Sequence, residues 1–351
     1  MKTRIIKAKD GTLTKEELSF IKQTITSGGL CIIPTETVYG LGADATNKNA
    51  ARAIYNAKKR PSNNPLIIHI ASPSDAERYC VTSDLYNRLA RAFMPGPLTV
   101  ILPKKDIIPF EVTGGLSTVA VRCPSHPVAS AIIKECGVPI AAPSANLSGR
   151  PSPTCARYCI EDMDGRVDVI VDGGYCEIGL ESTIVMPEDD GSVTLLRPGK
   201  ITVDEIAEAV GCEVRIAKGV LEEIAKDATP LSPGMMYKHY APKTEFVLLD
   251  GSDDEIFGYV NSYDRKCAFL SLSGDEEFLN ESIKTVSIGK KGEPLSQAQR
   301  VFCALREADE LECDIIFARL PGRDGIELAL FNRLIRAAAH RILDLKDQCG
   351  K

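Results

Sequence analysis

No apolar run in this chain approaches the roughly 18 residues that a membrane-spanning helix needs. The first ten residues carry Lys2, Arg4, Lys7, Lys9 and Asp10 and hold no apolar stretch of the kind found in a secretion signal. These absences lead to the expectation of a cytoplasmic protein with no membrane partner. The 12 cysteines contain no C-x-x-C pair, which argues against zinc and dithiol redox motifs and leaves reduced, mostly buried thiols. An excess of positive charge is also missing. The net charge is −6, with residues 1–212 close to balance, so bulk electrostatics give no case for tight nucleic-acid binding.

Two nucleotide cradles are absent: the chain has no G-x-x-x-x-G-K-[ST], and no G-x-G-x-x-G follows a strand signal. Any nucleotide must therefore be held by side chains. With four histidines (His69, His126, His239, His340) and no G-x-S-x-G elbow, a covalent nucleophile is poorly supported. No carboxylate or histidine cluster has metal-ligand spacing, so no protein-held metal is expected.

What is present reads as a globular α/β protein of two to three domains: 351 residues, 44% hydrophobic and 26% charged. From residue 14 to about 211, helical and strand patterns alternate. Helices are expected at 15–27, 50–58, 84–93, 127–135 and 203–210, and strands at 30–34, 66–71, 98–103, 119–122, 140–142, 169–172, 182–186 and 194–197. This predicts a twisted mixed sheet over residues 1–212. Residues 213–243, with Pro230, Pro233, Gly234 and Pro242 around the string MMYKHY, read as an extended linker. Residues 244–351 read as a small Rossmann-like βαβ domain, with strands at 246–249, 267–271 and 315–320 and helices at 296–310 and 326–342.

Three stretches place polar side chains at the ends of β-branched runs, where ligands are commonly held: PTETVYGLG (34–42), KKRPSNNPLIIHI (58–70) and AAPSANLSG (141–149). Lys58 and Arg60 close a helix before Pro61, with Asn63 and Asn64 leading into a strand. They either complement the helix C-terminus or form an anion site. Arg122 leaves a strand before Pro124, either as a salt-bridge partner or as a fork for a carboxylate. His69 lies inside a strand, either as a satisfied core residue or as a site residue. Ser144 and Asn146 fit a turn as well as a site. Ser182, Thr183 and Arg197 are weaker signals. The cavity these residues would line suits anionic and amino-acid-like groups, with positioning and electrostatics carrying the chemistry.

Taken in order, PTETVYGLG, K-x-R-P-x-x-N-P-L (58–66), PGPLT (95–99), TVAVRCPSHP (118–127), PSANLSGRPSPT (143–154) and GLESTIV (179–185) resemble the YrdC/YwlC family of threonylcarbamoyl-AMP synthases. SPGMMYKHYAP (232–242) and GIELALFNRLIRAA (325–338) resemble its longer, two-domain branch. The resemblance implies a YrdC-like domain with a concave cavity. It also implies the formation of L-threonylcarbamoyl-AMP and pyrophosphate from L-threonine, bicarbonate or CO2, and ATP. A downstream threonylcarbamoyl transferase complex would then modify the adenosine beside the anticodon of tRNAs that read codons beginning with A. By motif position, Lys58, Arg60, Ser144 and Asn146 would be catalytic, and Thr37, His69, Arg122 and Ser182 would bind threonine. ATP would be bound by Lys58, Arg60, Asn64, Thr118, Ser144, Asn146, Ser152, Arg197 and Tyr237. Mg2+ would arrive with ATP, and tRNA is a candidate direct partner. Residues 213–243, with Tyr237, would form a lid. Lys59, Asn63, Met94 and Met236 depart from the expected glycine, aspartate, tryptophan and basic residue. Competing readings are an RNA-binding module without turnover and a carbamoyl-phosphate-using transferase. The second is disfavoured by the lack of an acylphosphatase-like segment and of zinc-finger cysteine pairs.

Overall fold

Short β-branched and apolar segments build the first sheet: β1 (Arg4–Lys7), β2 (Cys31–Ile33), β3 (Gly40–Asp44), β4 (Ile67–His69), β5 (Leu98–Pro103), β6 (Thr118–Arg122), β7 (Ile140–Ala141), β8 (Val169–Asp172), β9 (Thr183–Pro187), β10 (Val193–Arg197) and β11 (Val214–Ile216). Their order is β1-β8-β2-β3-β7-β4-β6-β5-β9-β10-β11, with parallel and antiparallel pairs intermixed. The coordinates are a computed structural model that describes residues 2–222 and 240–346. Two compact units separate: residues 2–148 with 152–222, and residues 240–346 with 149–151.

In the first unit, helix Lys15–Thr26 starts where Thr14 and Glu17 form a reciprocal capping box. Its Ile21 and Ile25 share a core with Val128, Ile132 and Ile133 of helix Pro127–Cys136 and with Cys31, Ile33, Val169 and Val171 of the sheet. Helix Lys48–Lys58 is capped by Asn47 and stops at Lys59, whose left-handed φ of 53° turns the chain toward β4.

Strand β3 was not anticipated, because its sequence GLGAD has little strand propensity. Packing explains it. A Cβ on Gly42 would lie 2.9 Å from Ile140 Cγ2 and 3.0 Å from the Cys31 carbonyl oxygen, so the close approach of neighbouring strands requires glycine there. The segment expected as linker begins as structure: β11 pairs in parallel with β10, and Ala217 N–H donates to Leu195 O. Tyr237 and the rest of residues 223–239 lie outside the described residues.

The second unit is a parallel sheet of β12 (Glu245–Asp250), β13 (Cys267–Leu272), β14 (Lys284–Gly289), β15 (Ile315–Arg319) and β16 (Ile342–Asp344), ordered β14-β13-β15-β12-β16. Helices Asp253–Ser262, Pro294–Asp309 and Glu327–Ala337 make crossovers, as parallel pairing demands. Leu249, Phe257, Val260, Phe269 and Phe317 lie in one core cluster. The helix expected over 326–342 ends at Ala337, because Ala339 and His340 adopt positive φ and Ile342 joins β16.

Candidate active site

Parallel strands β4 and β6 carry candidate residues at both ends. At their C-terminal ends His69 and Arg122 are register partners, and Thr99 of β5 pairs with Arg122 from the other side. Laterally paired residues project to the same face, so these three side chains form one row. Arg122 Nη2 donates to Glu36 Oε1 at 2.7 Å, and Glu36 belongs to the loop between β2 and β3. Glu36, His69 and Arg122 are 4%, 3% and 3% exposed.

The loop is shaped from within. Thr35 Oγ1 donates to Val38 O at 2.6 Å, accepts from the backbone N–H groups of Thr37 and Val38, and contacts the Thr37 hydroxyl at 2.9 Å. Ile178 N–H fixes the Glu36 carbonyl at 2.8 Å. Thr37 is therefore held next to the Glu36–Arg122 pair. Beyond Thr99, the Thr99 and Ser182 hydroxyls meet at 2.7 Å, and Arg197 donates to both the carbonyl and the hydroxyl of Ser182. Thr37, His69, Arg122 and Ser182 thus belong to one connected group, and Arg197 supports it.

Electrostatics follow from burial. Desolvation would raise the Glu36 carboxyl, but the charge and hydrogen bond of Arg122 outweigh it and hold it below the usual carboxylate range. Burial, followed by the Arg122 charge, pushes the His69 imidazole down to about 3, so it is neutral near pH 7. Among the described residues, three polar atoms in this group have no hydrogen-bond partner: Glu36 Oε2, His69 Nδ1 and Arg122 Nε.

Arg60 and Asn64 sit before the N-terminal end of β4. Arg60 donates through Nε to Asn64 O at 3.2 Å, and through Nη2 to Asn64 Oδ1 at 2.5 Å and Pro65 O at 3.1 Å. Thr118 begins β6 at the same end, opposite Pro103 and roughly 13 Å along the strand from Arg122.

Lys58 differs from the cation at a strand mouth that its sequence suggests. It is 1% exposed, and Nζ donates to the carbonyl oxygens of Ser144 and Asn146, both at 2.5 Å. Burial, followed by the charge of Arg60, holds its ammonium well below the usual lysine range. The same loop is tied by Ser144 Oγ to Asn146 Oδ1 at 2.5 Å, by Ala145 N–H to Tyr39 O and by Ser148 N–H to Lys58 O. Ser152 donates to Glu181 Oε1 at 2.6 Å, and both are buried.

Residues 23–199 match a family profile described as telomere recombination, and residues 201–339 match one described as threonylcarbamoyl-AMP synthase, C-terminal domain. The threonylcarbamoyl-AMP synthase of Bacillus subtilis is 44% identical over 316 residues, covering 88% of this chain and 89% of its own. That of Pyrococcus abyssi is 40% identical over 331 residues, covering 91% and 93%. The chain belongs to the threonylcarbamoyl-AMP synthase family. Among solved structures, P. abyssi Sua5 complexed with L-threonine is similar to it with a TM-score of 0.88 at 38% identity, covering 97% of this chain and 99% of that one.

In this member of the synthase family, sequence reasoning passed over Glu36, Thr99 and Glu181. Glu36 stands beside the candidate Thr37, and its partner Arg122 lies 86 residues away. The available signal was a carboxylate three residues beyond an apolar strand, where an unpaired charge would be costly. Thr99 and Glu181 carried no comparable mark. The cysteines behave as expected: those described are unpaired, and all but Cys212 are buried.

Proposed function

We propose that this protein forms L-threonylcarbamoyl-AMP and pyrophosphate from L-threonine, bicarbonate or CO2, and ATP, for modification of the adenosine beside the anticodon in tRNAs that read codons beginning with A. The observation that carries this reading is the buried Glu36–Arg122–His69 group. Its three unpartnered atoms include a donor and an acceptor, which is the complement of an amino acid.

Arg122 receives the threonine carboxylate, with Thr37 and Ser182 beside it and neutral His69 in the same row. The threonine amine attacks the carbon of CO2 and loses a proton to solvent or bicarbonate, giving a carbamate. A carbamate oxygen then attacks the α-phosphorus of ATP in line, the bond from that phosphorus to the bridging oxygen breaks, and pyrophosphate leaves. Arg60 and Asn64, with Thr118 at the same strand end, face the nucleotide. Lys58 acts by fixing Ser144 and Asn146 and by placing a positive end near the transferred group. Ser152 and Arg197 complete the ATP contacts, and Tyr237 is the further ATP-binding residue that the family resemblance assigns.

Mg2+ is proposed to arrive with ATP, held by the triphosphate and water. When bound, such an ion supplies charge neutralisation on the phosphate oxygens. We further propose a cytoplasmic location and delivery of the product to a threonylcarbamoyl transferase. No described helix is long and apolar enough to cross a membrane.

The test is the product. Incubation with ATP, Mg2+, threonine and 13C-bicarbonate should yield a species containing threonine and AMP that is about one mass unit heavier than with ordinary bicarbonate. A product without the label, or none from folded protein, would overturn the reading.

A further inference from the structure

Glu36 has two carboxylate oxygens with different fates. Oε1 accepts from Arg122 Nη2, whereas Oε2 is buried and meets no donor among the described residues. The Ser125 backbone is near enough to favour the negative charge, yet it makes no hydrogen bond to Oε2. Leaving a buried polar atom unpaired is costly, and the fold bears that cost three times in one place, at Glu36, His69 and Arg122. A hydrophobic substitute for the ion pair would remove this cost, so the arrangement makes sense as half of a binding site.

The orphaned atoms define what must fill it. Arg122 Nε needs an acceptor and Glu36 Oε2 needs a donor, and because the two side chains are ion-paired neighbours one small ligand carrying both groups can serve them together. A carboxylate alone satisfies only the arginine and would place two anions on one guanidinium. A zwitterionic α-amino acid satisfies both, with its carboxylate on Arg122 and its ammonium on Glu36.

We propose that Glu36 is a substrate-recognition residue whose free oxygen binds the ammonium group of the incoming amino acid while its other oxygen holds Arg122. This rests on the reading of the site as one for threonine. Glu36 thereby selects the amino acid as it enters, and must release the amine once it loses its proton and becomes a carbamate.

The experiment compares the full chain with Glu36→Gln and Glu36→Asp, each checked for folding by thermal unfolding. Binding of L-threonine and of its deaminated counterpart, 3-hydroxybutanoate, is measured by calorimetry. Gln preserves length and an acceptor for Arg122 but turns an N–H donor or a neutral oxygen toward the ammonium, whereas Asp preserves charge. The expected result is that Gln loses threonine affinity about 10- to 100-fold while Asp retains more of it, and that the wild type's preference for threonine over 3-hydroxybutanoate collapses in Gln. If Gln binds threonine as well as the wild type, or better than Asp, Glu36 only positions Arg122 and the proposal is overturned. If the wild type itself binds no threonine, the functional reading of the site fails first, and the role of Glu36 with it.

Discussion

The ammonium of Lys58 lies 2.5 Å from the carbonyl oxygen of Asn146, inside the protein and not at its surface. A residue at the end of one helix thereby fixes the loop that carries two other site residues, with the Ser144 carbonyl as its second acceptor. Two opposing effects decide how much this bond is worth. Burial penalises the charge, as the lowered ammonium pKa shows, while each charge-assisted bond contributes about 1.5–3 kcal/mol.

Lys58→Met, which keeps the aliphatic stem and leaves two carbonyls without their donor, should therefore cost roughly 1–3 kcal/mol in denaturant unfolding and abolish turnover. Lys58 is thus a structural clamp inside the fold as well as a candidate for the anion site that its sequence position suggests. A variant as stable and as active as the wild type would show that the loop does not depend on the clamp.

The His69 imidazole makes stability depend on pH. Its folded-state value of about 3 lies below the unfolded value near 6.5, so the unfolded chain binds the extra proton first. The stabilising contribution of neutral His69 is complete above pH 6.5 and is lost as pH falls toward 3, at up to about 1.4 kcal/mol per pH unit. Replacing His69 with Gln should flatten the unfolding free energy between pH 6.5 and 4.5, a window above the range where the Glu36 carboxylate takes up its proton. Parallel pH profiles for the two proteins would contradict a buried, neutral imidazole.

Much of the fold is legible because the strands at 98–103, 119–122 and 169–172 are apolar runs rich in valine and isoleucine and the helices carry clear caps. Several candidate site residues, Thr37, His69, Arg122 and Ser182 among them, are legible as polar interruptions beside those runs. What stayed hidden depends on distant neighbours. Gly40–Asp44 becomes a strand only because flanking strands approach too closely for a side chain at Gly42. Val214–Ile216 becomes one because β10 offers an open edge. The role of Glu36 is invisible until β6 brings Arg122 to it, and nothing local in K-x-R reveals that its lysine turns inward. Lys59 shows the reverse case, a left-handed position where the family resemblance leads one to expect glycine.

If the protein joins threonine, bicarbonate and ATP in one reaction, pyrophosphate release depends on all three. Purified protein with ATP and Mg2+ should release pyrophosphate when threonine and bicarbonate are both present, and lose that release when either is omitted. With serine in place of threonine the rate should fall. Release that ignores threonine or bicarbonate, or no release from folded protein, would contradict the account.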